Sequence, residues 1–229
     1  MLYEKYLKII DEKRDKVTGV SDGIWDNAEI RYHEFKSSKI LSDALEEEGF
    51  MVERGIGGMP TAFKAVYGNG HPAIGVLAEF DALPNLNYEA GKTEPVFRSD
   101  VTSGHGCGHN LLGVGCLAAA IALKEELQAT GKEGSIVFYG TPAEELLTGK
   151  GIMAKNGAFT DVDVMLEWHP GSVSRITMGS MNGVEGLGVK FHGKTAHAAM
   201  NPQDGRSALD AVELMNVGVQ YLREHVKPD

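Results

Sequence analysis

The segment His-Gly-Cys-Gly-His-Asn at residues 105–110 carries side chains suited to holding a metal ion. One glycine separates Cys107 from His109, and it lets the backbone bend so that the thiolate and the imidazole can face the same ion. Both ligand types suit zinc or a similar first-row ion. Two other interpretations stay open: a nucleophilic Cys–His pair, and a glycine-rich turn with incidental polar residues.

Three more polar clusters follow predicted strands. Glu79 and Asp81 close one strand, Glu144 and Glu145 follow the next, and His169 follows a third. Adjacent carboxylates can divide two roles, because one can bind metal while the other acts as a general base. Each cluster also has a structural interpretation: a strand end that caps a turn, the acidic first turn of a helix, or a satisfied histidine at a sheet edge.

The combination of the four clusters favours a hydrolase. In open α/β sheets, functional side chains gather at the carboxyl ends of the strands. Cysteine, histidine, glutamate and histidine at that edge form a metal-binding set, and a second glutamate lies beside it. A divalent ion acidifies water, and a neighbouring carboxylate can take the proton. These features outline a metal-dependent hydrolase.

The elements that must position these residues alternate between helix and strand. The periodicity of apolar residues predicts helices over 3–17, 21–48, 111–127, 151–159 and 206–226, and strands over 61–67, 73–80, 134–139, 162–168 and 184–192. The strands at 73–80, 135–139 and 162–168 are almost continuously apolar, which is typical of central strands buried on both faces. The pattern predicts an α/β fold with helices packed on a sheet.

Composition argues against several classes of protein. The 229 residues include 22 Lys and Arg and 32 Asp and Glu, a net charge of −10. We therefore expect no nucleic-acid partner and no membrane partner, since both favour a basic surface. The sequence has no run of about 18 apolar residues, and its start lacks the order of a signal peptide. Two cysteines do not suggest a disulfide framework, so we expect a cytoplasmic protein.

The residue pattern of the sequence changes near residue 182. We expect one domain over residues 1–182 and a second over residues 183–229. The second contains one predicted strand and one predicted helix, and such a pair cannot close a core of its own. We therefore expect the chain to stop inside its second domain.

Six segments together resemble one family, the di-metal metallopeptidase superfamily of aminoacylases, glutamate carboxypeptidases and succinyl-diaminopimelate desuccinylase, in its amidohydrolase branch. They are Glu79–Pro84, Gly104–Leu112, Pro142–Glu145, Trp168–Pro170, Gly193–Ala199 and Gly205–Val212. The resemblance implies a zinc-peptidase-like catalytic domain with helices on both faces of a mixed sheet. It also implies that residues 183–229 begin an α+β, ferredoxin-like lid domain that forms the dimer contact.

The resemblance implies metal ligands residue by residue. Cys107, His109, Glu145 and His169 match ligands of the family, with Cys107 in the place of the bridging carboxylate of other branches. Together they would hold two divalent ions, zinc or manganese, with cobalt or nickel as alternatives. Glu79 stands where the glutamate carboxypeptidase branch has a ligand histidine. The last ligand histidine of the family lies in a C-terminal segment that is absent here.

Three further residues match the chemistry of the family. Glu144 matches the general base, Asp81 the carboxylate that orients a ligand, and His197 the lid histidine that polarises the substrate carbonyl, often in the site of the partner subunit. The implied reaction is hydrolysis of the amide bond of an N-acyl amino acid, such as aminobenzoyl-glutamate, or of a dipeptide. The implied partners are a second copy of the chain, bound through the lid, and a further subunit. The alternatives are a catalytically incomplete fragment that needs a C-terminal segment, and a non-catalytic dimerisation module.

Overall fold

The computed structural model describes residues 3–176, 179, 183 and 186–226. The chain divides into two compact units, residues 1–174 and 175–229. The boundary predicted between residues 182 and 183 stays a prediction. All the polar clusters from Glu79 to His169 belong to the first unit, and His197 belongs to the second.

The first unit contains a five-stranded mixed sheet and a separate two-stranded pair. The strands are β1 (Met51–Arg54), β2 (Phe63–Asn69), β3 (Ala73–Glu79), β4 (Leu83–Pro84), β5 (Ser103–Gly104), β6 (Gly134–Thr141) and β7 (Val164–Leu166). The order in the large sheet is β1-β2-β6-β3-β7. β2 pairs antiparallel with β1 and β6, whereas β3 pairs in parallel with β6 and β7. The predicted mixed α/β sheet is confirmed.

β6 lies between two strands that are consecutive in the sequence. Only residues 70–72 separate β2 from β3, yet each of these strands pairs with β6 rather than with the other. The parallel register places Glu79 opposite Thr141. The carboxyl ends of β3 and β6 therefore lie side by side, and the residues that follow them start from the same edge of the sheet.

Helices cover both faces of this sheet. The helices are α1 (Glu4–Glu12), α2 (Arg14–Asn27), α3 (Phe35–Glu47), α4 (His109–Thr130), α5 (Gly149–Lys155) and, in the second unit, α6 (Ala208–Leu222). On one face, Phe138 of β6 joins a core with Leu117 of α4. On the other face, the ring of Tyr139 meets Phe159, just after α5, edge-on at 5.0 Å between centroids. Because side chains alternate along a strand, β6 contributes to both cores.

The single helix predicted over residues 21–48 is wrong, because a loop at residues 28–34 separates α2 from α3. The chain leaves α2 at Ala28, which is left-handed with φ of 40°. The carboxylate of Glu29 then accepts the backbone N–H of Ser37 in the first turn of α3, at 2.8 Å. A side chain that caps the next helix competes with continued helix, and apolar periodicity does not reveal it.

The third strand predicted as central is also wrong in its placement. Of residues 162–168, only β7 is strand, and it lies at the edge of the sheet among the described strands. Val164 and Leu166 are about half exposed, because β7 has a neighbour on one side only. A short apolar run alone does not distinguish an edge strand from a central one.

In the second unit the predicted helix is confirmed as α6. Its N-cap is Ser207, whose hydroxyl accepts the backbone N–H of Asp210 at 3.0 Å. Ahead of it, an isolated bridge pairs Lys194 with Arg206. None of the helices in the described part of the chain combines the length and the apolar character needed to span a lipid bilayer.

The strand predicted over residues 184–192 is wrong for the residues that can be described. Residues 186–192 are not in a strand, and residues 184 and 185 lie outside the described residues. A strand is defined by hydrogen bonds to a neighbour, and the described residues of this unit offer only the bridge at Lys194. Alternating apolar residues predict an extended segment, but they do not supply its partner.

Candidate metal centre

The sheet and one helix bring the sequence-predicted polar residues to a single place. Glu79 ends β3, and the 3₁₀ turn Glu144–Leu146 follows β6 at the adjacent position. His109 is the first residue of α4, after Gly108, which is left-handed with φ of 76°. The structure assembles all the first-unit residues that were predicted for the site: Asp81, Cys107, His109, Glu144, Glu145 and His169.

His109 lies at the centre of this cluster and is fully buried. Its Nδ1 is 2.9 Å from the backbone oxygen of Asp81 and 3.1 Å from Asp81 Oδ1, so Nδ1 is the nitrogen that donates. The opposite nitrogen, Nε2, lies 2.9 Å from Glu79 Oε2, 3.7 Å from Glu144 Oε2 and 3.9 Å from Glu145 Oε1. Nε2 therefore points into a group of acidic side chains.

These acidic side chains favour positive charge at Nε2. Burial lowers the pKa of His109, but the hydrogen bond to Asp81 and the negative charges of Asp81 and Glu79 outweigh burial and raise that pKa to about 11. Burial raises the pKa of Glu144, and the charge of Glu79 raises it further. A position that retains a proton so strongly is also favourable for a divalent cation, which replaces the proton when it binds.

Cys107 and His169 lie close to His109 and to each other. Cys107 Sγ lies 3.3 Å from His169 Nε2, and the imidazoles of His169 and His109 meet edge-on at 5.7 Å between centroids. Ligand atoms of the three residues all lie within 4.8 Å of one another. Burial raises the pKa of the Cys107 thiol, and the charge of Glu145 adds to this. That environment disfavours a free thiolate nucleophile and suits a thiolate bound to metal.

A second group of potential ligand atoms shares His109 with the first. Atoms of Glu79, His109 and Glu144 also lie within 4.8 Å of one another. The backbone N–H of Glu145 donates to Asp81 Oδ2 at 3.0 Å, so Asp81 contacts both the imidazole and the carboxylate turn. Because Asp81 engages Nδ1, His109 offers one free nitrogen, Nε2, and the two groups share that ligand atom.

Unpaired buried atoms test whether the site fits a metal. In the described part of the chain, four buried side-chain nitrogen or oxygen atoms have no hydrogen bond: Glu79 Oε2, His105 Nδ1, His109 Nε2 and Glu145 Oε1. Three of the four belong to this cluster, and two of them, His109 Nε2 and Glu79 Oε2, lie 2.9 Å apart as an ion pair that lacks hydrogen-bond geometry. Buried polar groups are nearly always satisfied, so atoms left unpaired in one cluster indicate a ligand such as an ion. The donor set of thiolate, imidazole and carboxylate fits zinc or a related metal.

Two charged residues in this region were not predicted from the sequence. Lys150 Nζ pairs with Glu79 and lies 2.6 Å from Glu167 Oε1. Glu34 is fully buried and accepts the backbone N–H of Ala143 at 2.9 Å. Neither has a sequence signal, because Lys150 lies in a short helix and Glu34 in a stretch with helical periodicity.

His197 belongs to the second unit. Its Nδ1 accepts the backbone N–H groups of Ala199 and Met200, both at 3.2 Å. The side chain is exposed, and Nε2 is the nitrogen that carries the proton. The catalytic role of His197 stays a prediction.

An α/β sheet with thiolate, imidazole and carboxylate side chains at its carboxyl edge is the arrangement of a metal-dependent peptidase or amidohydrolase. The sequence matches peptidase family M20/M25/M40 over residues 75–226, more than half of its length. The chain belongs to this family, which confirms the predicted resemblance.

Two relatives are similar over almost the whole chain. The chain is 44% identical over 221 residues to a p-aminobenzoyl-glutamate hydrolase subunit of Escherichia coli (strain K12), covering 95% of this chain and 45% of that protein. It is 31% identical over 240 residues to the Xaa-Arg dipeptidase of Mus musculus, covering 100% of this chain and 52% of that protein. The chain therefore spans about half the length of the curated relatives it matches.

A solved structure shows the same fold. It is the YXEP protein of Bacillus subtilis, a dinuclear metal binding peptidase from the M20 family. The match has a TM-score of 0.54 and 22% sequence identity, and it covers 66% of this chain and 42% of that one. The predicted α/β architecture with a mixed sheet and helices on both faces agrees with this likeness.

Proposed function

We propose that the protein is a metal-dependent amidohydrolase that cleaves the amide bond of an N-acyl amino acid, such as p-aminobenzoyl-glutamate, or of a dipeptide. The observation that carries the proposal is the cluster of potential ligand atoms of Cys107, His109 and His169, next to buried atoms of Glu79, His109 and Glu145 that lack a hydrogen bond. The names of the relatives, a p-aminobenzoyl-glutamate hydrolase and an Xaa-Arg dipeptidase, support this substrate class.

Four residues would hold two divalent ions: Cys107, His109, Glu145 and His169. Zinc or manganese suits this donor set, with cobalt or nickel as alternatives. When bound, the ions supply Lewis acidity, which polarises an amide carbonyl and acidifies water. The dinuclear peptidase of matching fold supports the count of two.

Glu144 is the proposed general base. Its carboxylate is partly exposed and 3.7 Å from His109 Nε2, within reach of water at the ligand atoms. Its raised pKa, caused first by burial, brings its proton affinity closer to neutral pH, where transfer in both directions is efficient. Glu144 takes a proton from the attacking water and returns it to the leaving amine.

Asp81 and His197 complete the proposed set. Asp81 holds the His109 ring through Nδ1, which directs Nε2 toward the ligand group. In His197, Nδ1 accepts two backbone N–H groups, and Nε2–H takes no part in those hydrogen bonds. The Nε2–H would donate to the substrate carbonyl. Donation there would stabilise the oxyanion as its charge develops.

The wider setting is part of the same proposal. Residues 1–182 would belong to the catalytic domain, and residues 183–229 to a lid through which two copies dimerise. The Escherichia coli relative is named as one subunit of its enzyme, which supports a second kind of subunit. Both cysteines are free thiols, which supports a cytoplasmic setting. A p-aminobenzoyl-glutamate substrate would place the enzyme in the breakdown of folate.

The experiment combines metal analysis with hydrolysis of p-aminobenzoyl-glutamate and dipeptides. The protein is loaded with zinc or manganese, desalted and analysed for metal per chain, and Glu144→Gln is compared with the unchanged protein. We expect two ions per chain in both, and a loss of about 100-fold or more in hydrolysis by the variant. Retention of no metal, or equal hydrolysis by both proteins, would overturn the proposal.

A further inference from the structure

The segment that carries Glu144 and Glu145 has an unusual backbone. Ala143 before it and Leu147 after it are both left-handed, with φ of 56° and 55°. For residues other than glycine this conformation costs about 1–2 kcal/mol. Strained turns of this kind persist only where surrounding contacts hold them, and they concentrate at functional sites.

Glu34 provides such a contact from a distant part of the chain. Its Oε1 accepts the backbone N–H of Ala143 at 2.9 Å, and its Oε2 accepts the hydroxyl of Thr61 at 3.0 Å. Both Glu34 and Ala143 are fully buried. Both oxygens of the carboxylate therefore accept hydrogen bonds. One of these bonds comes from Ala143, the residue directly before Glu144.

The same loop, residues 28–34, also contacts the far end of the turn. The hydroxyl of Tyr32 lies 2.7 Å from the hydroxyl of Thr148. A Cβ at Gly149 would collide with the carbonyl of Pro142, so the turn closes tightly on itself. The loop thus holds the carboxylate turn at both of its ends.

Burial of the Glu34 carboxylate would destabilise the fold if packing were its only role. Among the described residues, no Lys, Arg or His forms an ion pair with it within 4.0 Å, although its side chain is fully buried. An unpaired buried carboxylate is expensive compared with an apolar side chain of similar size. A residue that costs stability is expected where it holds a functional geometry.

We propose that Glu34 is a positioning residue for the general base: its carboxylate fixes the left-handed backbone of Ala143 and so sets the direction of Glu144 and Glu145. The inference rests on the proposed function for its catalytic consequence. Its structural part, that Glu34 holds the turn, is independent of any activity.

The test compares Glu34→Leu, Glu34→Gln and Glu48→Gln in the full chain. Leucine fills the space but leaves the Ala143 N–H unsatisfied, while glutamine keeps an oxygen acceptor. Glu48 is the matched control, because it is another buried carboxylate but its partners are Lys13, Lys16 and Lys124. The measurements are amide hydrogen exchange over residues 143–149, metal per chain, and kcat and KM.

In Glu34→Leu we expect the amide hydrogens of residues 143–149 to exchange about 10-fold faster or more, because a buried hydrogen bond is lost. We expect its kcat to fall about 100-fold with little change in KM, because the base is displaced. Glu34→Gln should keep slow amide exchange over residues 143–149 and most of the kcat of the unchanged protein. Glu48→Gln should unfold at a lower temperature without either change.

Three results would overturn the inference: unchanged exchange over residues 143–149 in Glu34→Leu, an unchanged kcat of that variant when the unchanged protein is active, or the same pattern of changes in Glu48→Gln. Failure of the proposed function and failure of the inference about Glu34 give different results. If the unchanged protein hydrolyses no amide substrate but Glu34→Leu still exchanges faster, the proposed function fails and the positioning of the turn stands. If the unchanged protein is active and Glu34→Leu keeps its kcat, only the inference about Glu34 fails.

Discussion

Asp81 holds the imidazole of His109 by its Nδ1, with the backbone oxygen at 2.9 Å and Oδ1 at 3.1 Å. The two acceptors come from one residue, so the ring orientation depends on the end of β3. The same carboxylate accepts the N–H of Glu145 through Oδ2. Asp81 therefore connects the helix that carries one proposed ligand to the turn that carries another.

The first prediction concerns Asp81→Asn. The amide of asparagine can donate to Nδ1, which would favour the wrong tautomer of His109 and leave Nε2 protonated. We expect zinc affinity to fall about 10–100-fold, measured by competition with a chromogenic chelator. Asp163→Asn is the control, since Asp163 also lies beside a histidine and accepts a backbone N–H, at the opposite end of β3. Equal affinity for the two variants would contradict the role of Asp81.

The second prediction concerns Lys150→Met. Glu79 is almost fully buried, and Lys150 compensates its charge from the side opposite His109. Burial raises the pKa of Glu79, but His109 and Lys150 together lower it to about 2. Loss of the lysine leaves a buried carboxylate with one partner fewer. We expect the free energy of unfolding of the metal-free protein to fall by about 2–3 kcal/mol, measured by urea denaturation.

The exposed Lys155 of α5 is the control for that measurement. Lys155→Met should change the free energy of unfolding by about 0.5 kcal/mol or less. A fall of similar size in both variants would show that α5 itself, rather than the ion pair with Glu79, is sensitive to loss of charge.

The third prediction concerns the pH dependence of stability at Glu48. Burial raises the pKa of Glu48, but hydrogen bonds from Lys124, Lys16 and Lys13 outweigh burial and lower it to about 2. The folded-state pKa is below the value of 4.5 in the unfolded chain. The carboxylate therefore stabilises the fold fully above pH 4.5, and its contribution is lost as pH falls from 4.5 to about 2.

This contribution is about 3 kcal/mol at neutral pH, from the size of the shift. Urea denaturation of the unchanged protein and of Glu48→Gln at a series of pH values would measure it. The difference in unfolding free energy should be largest near neutral pH and shrink below pH 4.5. A difference that is independent of pH would refute the ion-pair explanation.

The fourth prediction concerns Gly115 in α4. Replacing glycine by alanine inside a helix usually adds about 0.5–1 kcal/mol of stability. A Cβ at Gly115, however, would lie 2.7–2.9 Å from the indole of Trp168, next to His169. We expect Gly115→Ala to destabilise the fold and shift the Trp fluorescence, and to weaken zinc binding. Gly151→Ala in α5, where a Cβ meets nothing within 4 Å, should be neutral or stabilising.

Much of the candidate site could be predicted because its residues follow local signals. Glu79, Glu144 and His169 come after apolar runs, and Cys107 and His109 share one glycine-rich segment that begins α4. Polar residues directly after strands reach one edge whenever the strands are parallel. That rule needs no knowledge of which strands are neighbours.

Other features could not be predicted, because they depend on contacts between distant residues. The helical spacing across residues 21–48 conceals the loop that delivers Glu34 to Ala143, 109 residues away. The charge pairing of Lys150 with Glu79 joins residues 71 positions apart, which sequence spacing does not encode. The exposure of β7 follows from its place in the strand order.

The position of β6 between β2 and β3 also affects how the protein is made. A ribosome completes β2 and β3 well before it reaches residue 134, where β6 begins. Synthesis of the intervening roughly 60 residues takes several seconds at about 5–20 residues per second. Throughout that interval the nascent chain carries two strands whose shared partner does not yet exist, and their free edges can pair with other chains. Newly made molecules therefore pass through an aggregation-prone stage, which ends when β6 leaves the exit tunnel.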